Sequence, residues 1–392
     1  MPSEIDSAFA GKSVFVTGHT GFKGSWLALW LAKLGAKVTG YALPPPTAPA
    51  AGGDGSPTPN NFTVSRVADV LEAHHEADIR DRDTLHSALQ AAKPDIVLHL
   101  AAQPFVRLSY SAPHETFETN VMGTVNVLES LRTVGRPCAV VVVTTDKCYE
   151  NREQTWGYRE CDALGGFDPY SASKGAAEIV AASYRQSFFP ADKLAKHGIA
   201  VASARAGNVI GGGDWALDRI VTELVRCSVQ REDAQLRNPR AIRPWQHVLE
   251  PLSGYLSLAA KMIADPNPRW CEAWNFGPSA GDEWPVGKLA DAFFAAWGSG
   301  GWRDVGDPNQ PHEAGILRLS IDKAVSQLDW RPRWQVNEAA RRTALWFRRY
   351  YADRRAMGDA CFDEIADYES AMAGETASVI VAEKQNTQWK AA

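Results

Sequence analysis

The chain has 392 residues, enough for one large or two closely joined domains. Hydrophobic content of 45% and charged content of 22% match ordinary globular proteins, so a packed core is available. A net charge of −5 argues against a nucleic-acid or anionic-membrane partner, and no apolar run approaches the ~20 residues of a membrane span.

The first half alternates β-rich runs with helical patterns. SVFVTG predicts strand one, followed by a helix from about Phe22 to Leu34. AKVTGYAL is strand two and EAHHEADI strand three, with a helix over about Arg82 to Ala92. PDIVLHLAA is strand four, and a helix from about Pro113 to Val134 leads to strand five, CAVVVVTT. Near-continuously apolar strands separated by helices indicate a parallel sheet covered on both faces. Right-handed crossovers make it an α/β, doubly wound, Rossmann-type fold whose ligands sit at the carboxyl ends of the strands.

Leu43 to Asn61 is rich in Pro, Gly and Ala and reads as an extended surface loop. After strand six, IAVASARAG, the character changes to short segments rich in Trp, Arg and Pro. We expect a dinucleotide-binding domain over 1–207, with a return around 247–264. A smaller α/β substrate lobe follows over 208–350, then an extension over 351–392 whose last 15 to 20 residues lack a clear apolar period. The six cysteines are scattered without a C-x-x-C pair, and the nine histidines show no H-E-x-x-H spacing. Neither a disulfide framework nor a bound metal is expected. A reducing cytoplasm fits, and no N-terminal targeting pattern is evident.

TGHTGFKG sets Gly18, Gly21 and Gly24 three apart, directly between strand one and its helix. Small residues there allow a tight turn and let backbone amides approach a pyrophosphate at the helix N-terminus. The end of strand two, where an Asp or Glu often accepts the adenosine ribose hydroxyls, carries no acid. His19 and Lys23 could lean over phosphate or ribose instead, with a solvated loop as the alternative. NAD is expected and NADP stays open. Asp78 could accept from the adenine amino group, with Ile79 beside the ring.

DPYSASKGAAEIV places Tyr170 and Lys174 four apart, on one face of a helix that Pro169 suits as a start. A free phenol, with a pKa near ~10, is a poor base at neutral pH. A neighbouring ammonium favours the phenolate, which can then take a hydroxyl proton while hydride leaves for a nicotinamide.

The glycine triad, HLAAQ, TNVMGT and YSASK together resemble the extended short-chain dehydrogenase/reductase superfamily. The longer strings GHTGFKGSWL, TTDKCYENREQTWGYRE, RAGNVIGGGDWALDR and IRPWQHVLEPLSGYL resemble the CDP-glucose 4,6-dehydratases within it, over about Val14 to Trp346. The resemblance implies a bound NAD used as a redox shuttle: oxidation of the sugar at C4, loss of water across C5 and C6, and hydride return to C6. It implies cofactor contacts from Gly18, His19, Gly21, Phe22, Lys23, Gly24, Leu100, Ala101, Ala102 and Asn120, as well as Tyr170 and Lys174.

By the same resemblance Tyr170 is the C4 base and Lys174 its pKa modifier and ribose partner. Thr145 donates to the C4 oxygen, and Asp146 protonates the departing C6 hydroxyl, for which burial must raise its pKa. In dTDP-glucose dehydratases the run reads Thr-Asp-Glu and the glutamate takes the C5 proton; here Lys147 stands in that place. As a base it must be neutral, whereas charged it would stabilise an enolate. Gln103, Asn208, Arg219, Arg243, Asn275 and His312, with Glu313 beside it, are candidates for the sugar nucleotide, and Arg suits a diphosphate. The 14 Trp residues read more simply as packing than as base-stacking platforms.

The expected activity is therefore a CDP-glucose 4,6-dehydratase. Another nucleotide-sugar 4,6-dehydratase or a 4-epimerase is the nearest alternative, and a nonenzymatic dinucleotide sensor a distant one. An epimerase has no need of the Asp146 and Lys147 pair. The superfamily also implies a homo-oligomer built on the helices carrying Asn120 and Tyr170, dimer or tetramer.

Overall fold

The computed structural model describes residues 4–45, 58–306 and 316–374. Seven strands form the central sheet: β1 Ser13–Thr17, β2 Lys37–Ala42, β3 Ala73–Glu76, β4 Ile96–His99, β5 Cys138–Thr145, β6 Ile199–Ala206 and β7 Ala273–Phe276. All pair in parallel, in the order β3-β2-β1-β4-β5-β6-β7. Every residue of β5 and β6 is buried, as their unbroken apolar runs require when helices cover both faces. The order reverses between β1 and β4. The turns leaving these two strands diverge there and leave a crevice at the carboxyl edge.

β7 corrects the expected division. Its sequence, AWNF, was assigned to the second lobe, yet it extends the main sheet with Phe276 opposite Ala206. The return through the Leu249–Ala264 helix therefore continues to Phe276. Four residues with a polar one among them show too little periodicity to be read as a strand. The helix expected from Pro113 to Val134 is also modified. It runs as α-helix over Pro113–Phe117, widens to a π-turn over Glu118–Met122, and resumes over Gly123–Val134. A short helix, Val106–Ser111, precedes it.

The second lobe is built from the Ile220–Gln230, Val286–Trp297 and Val336–Ala352 helices and short two-stranded ladders. Tryptophan does the packing. Trp215 meets Trp346, Phe347 and Tyr350 ring against ring, while Trp26, Trp30, Trp270 and Trp274 are fully buried in and around the central sheet. No helix among the described residues is long and apolar enough to cross a membrane. The end of the chain, expected to be loosely held, lies outside the described residues beyond Gly374.

The part of the extension that is described is a helix, Met357–Met372, laid back on the first domain. It is held by buried polar groups. Tyr368 Oη donates to Glu250 Oε2 at 2.6 Å, and the main-chain N–H groups of Arg333 and Trp334 also donate to Glu250. Glu364 faces the buried His247 at 3.2 Å, and Trp30 donates to Glu369. Burial raises the Glu250 carboxyl to about 7, against the lowering effect of those three donors. A carboxyl raised on folding contributes stability that is complete below its unfolded value, near 4.5, and lost as pH rises through about 7. Urea unfolding of the native protein and Glu250→Gln should therefore diverge with pH. Between pH ~5 and ~8 the native protein should lose roughly 2–3 kcal/mol relative to the variant.

Candidate active site

The turn after β1 and the turn after β4 meet in the crevice. Gly18 has a φ of +78°, and a Cβ there would sit 2.7 Å from the Ala101 nitrogen. A Cβ on Gly24 would lie 2.1 Å from the Gly18 oxygen, so the strand, turn and helix can close only with glycine at both positions. Gly21 is the N-cap of the Phe22–Lys33 helix, without a side-chain cap or an acid in the first turn. The helix therefore offers its N-terminal N–H groups and positive end to an anion, as a dinucleotide pyrophosphate requires. Phe22 packs toward Gly211 of the second lobe. On the β4 side, the Leu100 and Ala101 N–H groups donate to Thr17 Oγ1 at 3.1 Å each, and Ala102 follows in the same turn. The Thr17 hydroxyl must then donate to His99 Nδ1 at 2.7 Å, which leaves His99 Nε2 to donate to Thr124. That buried chain, absent from the sequence reading, fixes both edges of the crevice.

β5 ends in the opposite wall. Thr145 Oγ1 donates to Asp146 Oδ1 at 2.9 Å and receives the Lys147 N–H, folding a single tight turn over Asp146–Cys148. Asp168 starts the facing Pro169–Ser187 helix: its carboxylate accepts Ser171 N at 2.9 Å and Ser171 Oγ at 2.6 Å, with Pro169 in the first turn. Tyr170 and Lys174 thus stand on one buried face, Tyr170 within hydrogen-bonding reach of Thr145, and Lys174 Nζ 3.4 Å from the Val143 carbonyl.

Desolvation governs the charges. Burial raises the Asp146 carboxyl, against the lowering influence of Lys147, Thr145, Arg243 and Lys23, and its Oδ2 has no hydrogen-bond partner among the described residues. Burial lowers Lys147, with Arg243 and Arg219 adding to it and Asp146 and Asp168 opposing. Lys174 and Lys23 are each lowered by burial to about 8. Burial pushes Tyr170 up to about 12, and the strongest pull downward comes from Arg219 of the second lobe rather than from Lys174. The Arg219 guanidinium lies 5.8 Å from the centre of the Phe105 ring, and its buried Nε has no partner. Thr145, Asp146, Lys147, Tyr170, Lys174, Lys23, Arg219 and Arg243 therefore converge on one pocket of closely spaced acids and bases.

Other expected contacts are engaged elsewhere. His19 is fully buried, hydrogen-bonded through Nε2 to His74 at 2.7 Å and pressed against Gly40 of β2. Burial first, then His74, lowers its pKa to about 3, so it presents no cation to phosphate. Both Asp78 oxygens are taken by Arg80, and Ile79 is buried against Gly123. Asn120 spends its amide on the Gln103 main chain and Ser173 Oγ, a reach that the π-turn makes possible. Gln103 folds onto Phe105 and Thr116. Asn275 is fully buried: its amide donates to Tyr158 and Ser320 carbonyls, and its Oδ1 accepts from Tyr149. These side chains are each engaged in hydrogen bonds or packing within the protein. Asn208 follows Gly207, where a Cβ would lie 3.2 Å from Asp146 Oδ2, and its carbonyl accepts from the Gln246 N–H. His312 and Glu313 lie outside the described residues.

Residues 15–267 match the family model described as GDP-mannose 4,6 dehydratase. A CDP-glucose 4,6-dehydratase from Salmonella typhimurium is 48% identical over 94% of this chain and 99% of its own. The chain belongs to the GDP-mannose 4,6 dehydratase family. A dTDP-glucose 4,6-dehydratase from Streptomyces antibioticus, 29% identical over 69% of this chain and 75% of its own, is a more distant relative. The family fold is also that of a dTDP-glucose 4,6-dehydratase from Streptomyces venezuelae solved with NAD bound, with a TM-score of 0.70 and 23% identity over 86% of this chain and 98% of that one. A UDP-glucose 4-epimerase from Thermotoga maritima superposes with a TM-score of 0.67 and 19% identity, covering 86% and 99% of the two chains. These two superpositions speak to fold alone.

Within this family member, Asn275 tests the distinction between a ligand and a strut. Asn275→Ala removes three hydrogen bonds and leaves the buried Tyr149 hydroxyl without its acceptor, so it should lower stability by roughly 2–4 kcal/mol in urea unfolding. Nucleotide-sugar affinity in the folded fraction, measured by calorimetry, should move less than twofold.

Proposed function

We propose that the protein is an NAD-dependent CDP-glucose 4,6-dehydratase, forming CDP-4-dehydro-6-deoxyglucose and water. The observation that carries this reading is the opposite displacement of two neighbours: Asp146 is held toward its acid form and Lys147 toward its base form, beside Tyr170 and Lys174. An epimerase has no use for such a pair. The nucleotide rests on the 48% identical relative, which the chain matches almost end to end.

NAD, when bound, would supply a hydride acceptor for the sugar C4 and, reduced, a hydride donor for C6. Gly18, Gly21, Gly24 and Lys23 would hold its pyrophosphate, and Lys174 its nicotinamide ribose. Tyr170 takes the C4 hydroxyl proton as the carbonyl forms, with Thr145 turning its hydroxyl from Asp146 to the C4 oxygen. The ketone acidifies the C5 proton, which Lys147 removes. The C6–oxygen bond breaks as Asp146 gives its proton to the departing hydroxyl, releasing water. A proton returned to C5 and re-equilibration among Tyr170, Lys147 and Asp146 restore the starting state. Arg219 and Arg243, whose charges both act on Lys147, would meet the diphosphate, with Asn208 as a further contact.

Exposed Phe117 and Met122 on one helix run and Ile179 on the Tyr170 helix support a homodimer or higher homo-oligomer joined through these helices. Six unpaired cysteines fit a reducing cytoplasm.

Turnover of CDP-glucose in deuterated water should place deuterium at C5 and retain the substrate's own hydrogen at C6. Product from dTDP- or GDP-sugars but none from CDP-glucose would overturn the nucleotide. Lys147→Met should slow C5 exchange with solvent by roughly 10²-fold or more. A normal exchange rate would leave Lys147 as an electrostatic clamp rather than the base.

A further inference from the structure

Glu178 stands one helical turn beyond Lys174 and two beyond Tyr170, on the same face of their helix. The proposed reaction assigns it no step. It is nevertheless buried, and two strands deliver donors to its carboxylate: Thr144 Oγ1 from β5, Ser203 Oγ from β6 at 2.7 Å, and Arg205 Nη2 from β6 at 2.9 Å. An apolar residue would fill a purely packing position with less desolvation. A carboxylate locked in this way supplies a fixed charge.

We propose that Glu178 is a positioning residue for the reaction: caged by Arg205, Thr144 and Ser203 one helical turn from Lys174, its fixed charge keeps Lys174 an ammonium on the face it shares with Tyr170. The inference rests on the role given to Lys174 above. The only hydrogen bond of Lys174 Nζ among the described residues is the long one to Val143. The ionisable groups around it are Glu178 on its own helix, Cys148 from the turn after β5, His99 from β4 and Lys23 from the glycine turn. Burial pulls Lys174 down, and Glu178 is the strongest influence opposing it. Glu178 faces Arg205 and Ser203 on β6, Thr144 on β5, Cys148, and Arg185 on its own helix. Burial alone would raise the Glu178 carboxyl, but Arg205 and the three donors outweigh it and keep it ionised. Without that charge, Lys174 loses its proton at lower pH, and Tyr170 loses the neighbouring ammonium across the neutral range.

Lysine labelled with 13C at Cε reads this directly in the full-length protein, with the Lys174 resonance assigned by its loss in Lys174→Met. Glu178→Gln should move the Lys174 titration down by about one pH unit or more. The alkaline limb of kcat should move with it, kcat at pH ~8 should fall about tenfold, and KM should stay within about twofold. Glu178→Asp should recover most of both shifts. Because Glu178→Gln leaves Arg205 without a counter-charge, the paired variant Glu178→Gln, Arg205→Met removes both charges together and should show the same titration shift. An unchanged Lys174 titration in the paired variant, whatever its melting temperature, would reduce Glu178 to a strut. The titration needs no substrate, so a wrong assignment of the nucleotide sugar would leave it standing.

Discussion

The site hangs on one buried ion pair, Arg205 with Glu178. Arg205 rises from β6 and spans the gap to the Tyr170 helix, and its other nitrogen donates to Tyr149 Oη at 2.7 Å and to the Glu160 carbonyl at 3.1 Å. Tyr149 in turn donates to Asn275 of β7 and stacks on Tyr158. Three strand ends, the catalytic helix and the loop after Asp146 are thereby tied to a single guanidinium. Such a pair contributes little net stability relative to apolar residues, because two ions must leave water. Loss of one partner is another matter, about 3–5 kcal/mol, because the remaining charge is stranded. The pair therefore couples the positions of the elements that carry Thr145, Tyr170 and Lys174.

Rigidity of that kind allows desolvation to set protonation states. In a mobile site, water would return and the carboxyl and ammonium groups would relax toward their ordinary values. Here Asp146, Lys147, Lys174 and Lys23 are each displaced toward neutrality, and burial is the leading cause for all four. The His99, Thr17 and Thr124 chain does for the crevice between β1 and β4 what Arg205 does for the other wall.

Much of this was legible in the sequence, for identifiable reasons. Apolar runs as long as CAVVVVTT and IAVASARA have one economical placement, inside a parallel sheet, and both were read within a residue or two of their ends. The Tyr170 and Lys174 spacing fixes a shared face once a helix exists, and Pro169 with Asp168 announces that helix. Legibility failed where a polar side chain could turn either way. His19 in the glycine loop looked like a phosphate ligand, yet it turns behind β2, where Gly40 leaves room for its ring. Asn275 and Gln103 carry amides that suit a ligand and suit buried main-chain groups equally well, and only tertiary contacts decide between them. Glu178 did leave a signal, an acid four residues past Lys174 on a buried helical face. Its partner Arg205 sits inside a strand 27 residues further on and has no local periodicity to mark it.

The Asp146 and Lys147 pair explains why a lysine can stand where related dehydratases carry a glutamate. Burial pushes Asp146 toward its protonated form and Lys147 toward its neutral form, the pairing that a desolvated site favours. In the proposed elimination one proton would pass from C5 to Lys147 and another from Asp146 to the leaving hydroxyl, so the step would end with an ammonium beside a carboxylate. The attraction between them grows in the same low-dielectric surroundings that disfavoured the separate charges. Lys23 and Arg243 add to the stabilisation of the new carboxylate. A glutamate base would begin the step with one negative charge and end it with one, gaining no such pair. The attraction within that new pair offsets part of the desolvation cost that the step incurs by charging both groups.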